Sequence, residues 1–489
     1  MILQKTRPWQ YLVPGAIILL ALASTLWHIH KKLDPSDSSP VTDLQPLVPP
    51  LAQDPAIEVF FNQSEANIYT DPYRQITRHG DNLEAVIIKS IEQAETSIDV
   101  AVQALNLPLV AQALIDSHHR GVQVRLILEN QYSTPWSETA TEKAAQKIAQ
   151  AQLADWAYIA DANQDGQSSA AELANIDALL AIQSTDLPWI DDTADGSKGS
   201  GLMHHKFIVV DQRWVITGSA NFTLSGIHGD AADPLSRGNA NGLLKIDSPT
   251  LAQQMTAEFN LMWGDGPNGK LDSRFGLKKP PRTAASLLFP SSSQQKPASE
   301  LTVQFSPVSS TQPWHRSTNG LIAQTLASAT QRIDLALFVF SSQALANQLK
   351  VQSEANVQMR ALIESSFIYR DYSEALDLLG KSRPNRRCRQ ETDNEPWAKP
   401  VDAVGSPLMP PGDKLHHKFA VVDSTTVITG SHNWSRAANV ENDETLLVIQ
   451  SPIVAAHFSR EFERLYRTAS TGNTPQLQRQ IAADRQRCG

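Results

Sequence analysis

Two stretches of the chain carry the same succession of apolar and polar blocks. Residues 97–104 and 332–340 are runs in which apolar positions dominate, the pattern of a strand buried on both faces. Each is followed by a helical period, over 109–118 and 342–349, and then by a second apolar run over 122–128 and 357–363. Farther on, 207–210 with 214–217, and 419–422 with 427–429, read as paired strands across a short turn. Strand and helix alternate within each half, which predicts an α/β fold of two similar layers.

The correspondence holds residue by residue. Ile98, Asp99, Arg125 and Glu129 return as Ile333, Asp334, Arg360 and Glu364, each 235 positions later. The offset falls to 212 between His204 and His416, so the first half holds 23 additional residues after Glu129. It falls again to 203 for Asn239/Asn442 and Phe259/Phe462, leaving nine more residues in the first-half loop around 224–237. A sequence repeated at this length suggests two domains about a pseudo-two-fold axis, which brings equivalent residues together at the interface.

The flanks have a different texture. Lys5 and Arg7 precede an apolar run over 11–27, so residues 1–33 are expected to be an export signal or a membrane anchor, and the chain an exported one. Residues 34–56 read as a Pro-rich tether, 57–263 as the first domain, 264–300 as a linker, 301–467 as the second domain and 468–489 as a C-terminal tail. Two cysteines, Cys388 and Cys488, fit one disulfide in an exported chain and fit two free thiols nearly as well. Across 489 residues the net charge is −9, which gives no overall attraction to nucleic acid or anionic lipid but leaves room for a local basic groove.

Chemistry concentrates in one motif used twice. His204, Lys206 and Asp211 are followed by Gly218-Ser219-Ala220-Asn221, and His416, Lys418 and Asp423 by Gly430-Ser431-His432-Asn433 at the same spacing. An imidazole can attack phosphorus or carry a proton near neutral pH, while ammonium and amide groups hold non-bridging oxygens as charge builds. On a strand, His204 and Lys206 share one face and His205 points to the other.

This double HxK(x)4D(x)6GSxN motif resembles the phospholipase D superfamily, over about 57–467. The resemblance implies two phospholipase D-like α/β domains with one active site at their interface, complete in a monomer. It implies a phosphodiesterase in which one motif histidine becomes a phosphohistidine and the other protonates the leaving alcohol and then activates water, with no metal or other cofactor needed for catalysis. By the same resemblance Lys206, Lys418, Asn221 and Asn433 bind phosphate, Ser219 and Ser431 support them, and Asp211 and Asp423 are structural. The family also places an acid about thirty residues after the histidine. Glu444 fits that place and is expected to orient His416, whereas Asn241 occupies the first-half frame. An amide fixes a tautomer without stabilising imidazolium, so His204 is expected to be the nucleophile and His416 the acid/base.

An insertion over about 139–184 carries a second motif. Asp161, Asn163, Asp165, Gln167, Ser169 and Glu172, with Gly166 at the sharp turn, match a calcium loop of EF-hand type, and imply a structural or regulatory Ca²⁺. Asp191, Asp192 and Asp195 read as a solvated loop at the mouth of the site. Tyr132, Trp136, Trp189, Tyr369, Tyr372 and Trp397 lie in expected loops, with ordinary packing as the default and head-group or base stacking as the alternative.

Three functions remain open at this stage. Export and acidity agree with hydrolysis of a phospholipid to phosphatidate and head group at a membrane surface. The residues after each GSxN, Phe222-Thr223 and Trp434-Ser435, look similar to nuclease branches, and Arg383, Arg386, Arg387 and Arg389 offer a phosphate-binding patch for nucleic acid. The third is an inactive binding or scaffold protein, which retention of both full motifs disfavours.

Overall fold

The computed structural model describes residues 44–139 and 156–489, apart from 162, 164, 168, 200, 232, 269–271 and 290–298. In the first half seven strands lie edge to edge in the order Ile57–Phe61, Gly242–Asp247, Trp214–Gly218, Lys206–Val210, Ser97–Val102, Gln123–Leu128, Trp189–Asp191. The second sheet runs Ser299–Ser306, Glu444–Gln450, Thr426–Gly430, Lys418–Val422, Arg332–Leu337, Gln358–Ile363, Val404–Ser406, the same order. Ala285–Phe289 and Ser470–Thr471 extend its two edges. The fold is therefore two similar α/β domains.

The residues that recur at the 235 offset have a shared task. Ser97–Val102 pairs in parallel with Gln123–Leu128, placing Asp99 beside Arg125, and Arg332–Leu337 pairs with Gln358–Ile363, placing Asp334 beside Arg360. Each arginine forks onto its aspartate, at 2.7 and 2.8 Å in the first half and 2.8 and 3.0 Å in the second. The other side of each guanidinium lies over a helix phenylalanine, Phe259 at 4.7 Å and Phe462 at 4.6 Å. These pairs tie the central strands to the long helices Pro249–Trp263 and Pro452–Tyr466.

Both long helices belong to a single core shared by the halves, in which Phe61, Phe207 and Phe259 join Phe419, Phe458 and Phe462. Two further cores lie on the outer faces, under helices such as Pro108–His119 and Gln343–Glu354. Burying apolar area at about 25 cal/mol per Å² makes the shared core the main adhesive between the domains.

Three segments expected to be connectors are instead built into the body. Within 34–56, Asp54 is buried and accepts from Ser299 and Ser451, while residues 1–43, including the expected signal or anchor, lie outside the described residues. Within 264–300, Phe275 and Lys279 are buried and Ala285–Phe289 forms a hairpin strand with Ser299–Ser306. Residues 468–489 form an edge strand and the helix Pro475–Cys488, which buries Leu477. Cys488 on that helix is bonded to Cys388. In each case single residues anchor a stretch whose average composition is polar. Among the described residues no helix is long and apolar enough to cross a membrane.

Candidate active site

The two motif strands do not face each other at random; the halves are zipped by backbone bonds on either side of the histidines. His204 N–H donates to Asp443 O at 2.9 Å and Asp443 N–H to Leu202 O at 2.8 Å. Across the pseudo-two-fold axis Ala240 N–H donates to Lys414 O at 2.8 Å and His416 N–H to Ala240 O at 3.1 Å. Each histidine is thus held against the strand that follows the other half's GSxN motif.

That exchange corrects the expected pairing. His204 Nδ1 lies 2.7 Å from Glu444 Oε2, and His416 Nδ1 lies 2.9 Å from Asn241 Oδ1. Glu444 therefore orients His204, not His416, and the amide orients His416. Neighbourhood in sequence misled because the acid and the histidine it serves belong to opposite domains. Ser219 and Ser431 are corrected with them: both are buried, Ser219 Oγ donates to Asn241 Oδ1 and Ser431 Oγ to Glu444 Oε2, so they fix the orienting groups rather than face a phosphate.

The tautomers follow from the donor count. Asn241 Nδ2 donates to Gly226 O, so its Oδ1 is the acceptor and His416 Nδ1 must carry hydrogen. Glu444 accepts from Ser431 and Asn442 and likewise takes the Nδ1 hydrogen of His204. Both Nε2 atoms are left with a lone pair. The motif glycines make room for this: a methyl at Gly430, whose φ is +129°, would sit 2.2 Å from Thr445 O.

Lys206 and Lys418 are 1% exposed, and each Nζ donates to the carbonyl of its motif histidine, at 2.9 and 2.6 Å. Burial pushes the Lys206 ammonium down to about 7, and burial with the charge of Lys206 holds Lys418 well below the usual lysine range. Burial first, and then the two ammonium groups, hold both histidines well below the usual imidazole range. Burial raises Glu444 above the usual carboxylate range, with Lys206 opposing it. Asn221 and Asn433 each have a buried Oδ1 without a partner. Two imidazoles and two ammonium groups thus converge, short of one anion.

Several contributors had no role in the sequence reading. Glu129 and Glu364 accept the N–H of Met203 and Leu415, the residues just before the motif histidines, both at 2.7 Å. Their recurrence at the 235 offset was the available signal. The Phe338 ring packs on His416 at 4.8 Å and under Lys418 Nζ at 5.1 Å. His205 and His417 turn outward, as the strand period requires, to Glu258 and Glu461. Asp211 and Asp423 cap backbone N–H groups at 95–97 and 330–332.

Other expected site residues lie elsewhere. Asp161, Asn163, Asp165, Gln167, Ser169 and Glu172 form a turn of their own in the insertion, with Asp161 accepting from the N–H groups of Asp165 and Gly166 and Glu172 closing a capping box with Ser169. Asp192 and Asp195 are buried rather than solvated; Asp192 accepts from Asn130 N–H and Asp195 pairs with Lys278 at 2.8 Å. Arg383 is held by Asp484 and Gln480, which removes it from an open phosphate patch. Phe222 and Trp434 are core residues, and Thr223 and Ser435 cap short helices.

The family described as "Cardiolipin synthase, PLD-like domain" matches residues 87–263 and 322–466. A mitochondrial cardiolipin hydrolase of Xenopus laevis is 30% identical over 155 residues, 30% of this chain and 59% of that protein. A phospholipase D of Rickettsia prowazekii is 25% identical over 167 residues, 34% of this chain and 56% of that protein. The chain thus spans under two thirds of the length of these curated relatives. The solved phosphatidylserine synthase of Haemophilus influenzae superposes with a TM-score of 0.50 at 12% identity, over 91% of this chain and 92% of that one, a likeness of fold.

Proposed function

The chain belongs to the phospholipase D superfamily, and from that premise we propose that it is a phosphodiesterase that hydrolyses phospholipids through a phosphohistidine on His204. The observation that carries the proposal is the crossed pairing, Glu444 on His204 and Asn241 on His416. When His204 Nε2 attacks, a P–N bond forms and the imidazole becomes a cationic phosphoimidazolium, whose remaining N–H points at the Glu444 carboxylate. That charge persists for the life of the intermediate and is held by a charge-assisted hydrogen bond.

His416 meets the opposite demand. It gives the proton on Nε2 to the leaving alcohol oxygen as the P–O bond breaks, then takes a proton from the water that cleaves the P–N bond, returning phosphatidate and free His204. An amide partner lets it cycle between neutral and charged forms without trapping either. Burial and then the two lysines depress both histidines, and the negative charge of a bound phosphate opposes them and allows His416 to load its proton. Lys206, Lys418, Asn221 and Asn433 then hold the non-bridging oxygens. The assignment expected from sequence is kept, on a different physical ground.

A phospholipid substrate is supported by the names of the curated relatives and by the fate of part of the nuclease signal: Phe222 and Trp434 are core, Thr223 and Ser435 are caps and Arg383 is ion-paired, while Arg386, Arg387 and Arg389 stay exposed. The chain is read as an exported monomer working at a membrane surface. Its substrate is tested by offering phosphatidylcholine, cardiolipin and single-stranded DNA side by side, with His416→Ala as control. Release of head group or phosphatidate by the native protein alone is expected. Cleavage of DNA with all lipids intact would overturn the lipid reading.

The insertion loop is read as a calcium site separate from this chemistry. Its donors are all oxygen, and Gly166, at φ +78°, makes the turn such a loop needs. The Glu172 carboxylate would have to leave its capping bond to Ser169 to reach the ion. Calorimetry with calcium should show one binding event that Glu172→Gln abolishes; no heat at millimolar calcium would remove the claim.

A further inference from the structure

Beside the second motif the fold leaves a cavity of about 510 Å³ that the phosphodiester chemistry does not use. Trp314, Asn319, Tyr372, Glu374, Glu391 and Asp393 are in its wall. The cavity shares a segment with the cleft: Phe338 packs on His416, and the chain continues through Ser341 and Ser342 into the cavity wall.

One buried acceptor there lacks a partner, and a buried carboxyl lies beside it in the wall. Asn319 is 1% exposed; its amide nitrogen donates to Ser342 Oγ and Ser435 O, and its Oδ1 is unsatisfied. Glu374 is 5% exposed, and among the described residues no ion pair or side-chain hydrogen bond engages its carboxylate. An unpartnered buried acceptor costs about 1–3 kcal/mol, so a donor is what Asn319 Oδ1 lacks. The one cationic side chain in the wall, Arg436, is paired with Glu441 at 2.8 Å. Trp314 and Tyr372 present partly exposed rings, 43% and 36% accessible.

We infer that this cavity binds a small ammonium cation that carries an O–H or N–H donor, its charge among Trp314, Tyr372 and the Glu374 carboxylate and its donor toward Asn319 Oδ1. Ring faces and a carboxylate together suit an ammonium group, and desolvation strengthens both attractions. Burial, and then the negative charges of Asp377, Glu391 and Asp393, push the Glu374 carboxyl up to about 9. A cation entering the cavity therefore displaces a proton. The binding claim stands whether or not the substrate is a lipid; only the lipid arm of the test rests on the proposed function.

Choline is the probe, titrated calorimetrically into the full protein at about pH 7.5 in two buffers of different ionisation enthalpy. The expected result is saturable binding with release of close to one proton. Glu374→Gln, which matches the shape of the neutral acid, should keep the thermal unfolding midpoint, weaken choline by about tenfold or more and abolish the proton release. Trp314→Ala should weaken choline with the proton release intact. Absence of choline binding, or equal binding by Glu374→Gln, would overturn the inference. A second arm finds the source of the cation. If it arrives on a lipid, kcat/KM for phosphatidylcholine relative to phosphatidylglycerol falls in Glu374→Gln; an unchanged ratio with choline binding lost assigns the cavity to a free cation.

Discussion

At the scale of residues, the difference between the two motif histidines is one acceptor: a carboxylate oxygen on His204 and an amide oxygen on His416. Glu444→Gln keeps the shape of its contact and removes the charge, and should lower kcat by roughly 10²- to 10⁴-fold with little change in KM. Asn241→Asp does the reverse at His416, stabilising its imidazolium and moving the acidic limb of the kcat profile to higher pH. Lys206 adds a further pH dependence. Its ammonium, the form that binds an anion, is present below about 7 and lost above it, so inhibition by inorganic sulfate should weaken as pH rises through that value. Affinity for sulfate that held constant from pH 6 to about 9 would contradict this account of the lysines.

At the scale of elements, the sequence was informative where a pattern extends over many residues. The apolar blocks at 97–104 and 332–340 became Ser97–Val102 and Arg332–Leu337, and the helical periods became Pro108–His119 and Gln343–Glu354. The motif side chains converged for the same reason, because strand alternation fixes which faces they share. Where a single residue decides, the pattern was silent. Lys279 turns the expected linker into structure by pairing with Glu258 and Asp443 in a fully buried cluster. Lys279→Met should cost about 3–5 kcal/mol in unfolding free energy, since it leaves the buried Asp443 carboxylate without a cation while Glu258 keeps Arg282 and His205, and chemical denaturation measures it. The expected tail is likewise anchored by Leu477 and by Cys488, whose bond to Cys388 closes a loop of 100 residues. Reducing that bond should destabilise the protein by about 2–4 kcal/mol while leaving the motif contacts in place.

At the scale of the whole molecule, the site exists only because the domains exchange strands' worth of contacts across their pseudo-two-fold axis, with Met203 bridged to Asp443 and Ala240 to Leu415. That crossing was hidden in the sequence: the Glu444 and Asn241 frames were legible, but not which histidine each would serve. On the proposed reading, one phosphate between the halves satisfies both lysines at once, and a single chain with two motifs makes one centre. The most direct measurement is to quench a reaction with substrate labelled on phosphorus in the part that stays with the enzyme, and to locate the label by mass spectrometry. The account predicts an acid-labile phosphoryl adduct on His204, accumulating in His416→Ala and absent from His204→Ala. An adduct on His416, or one that survives His204→Ala, would contradict it.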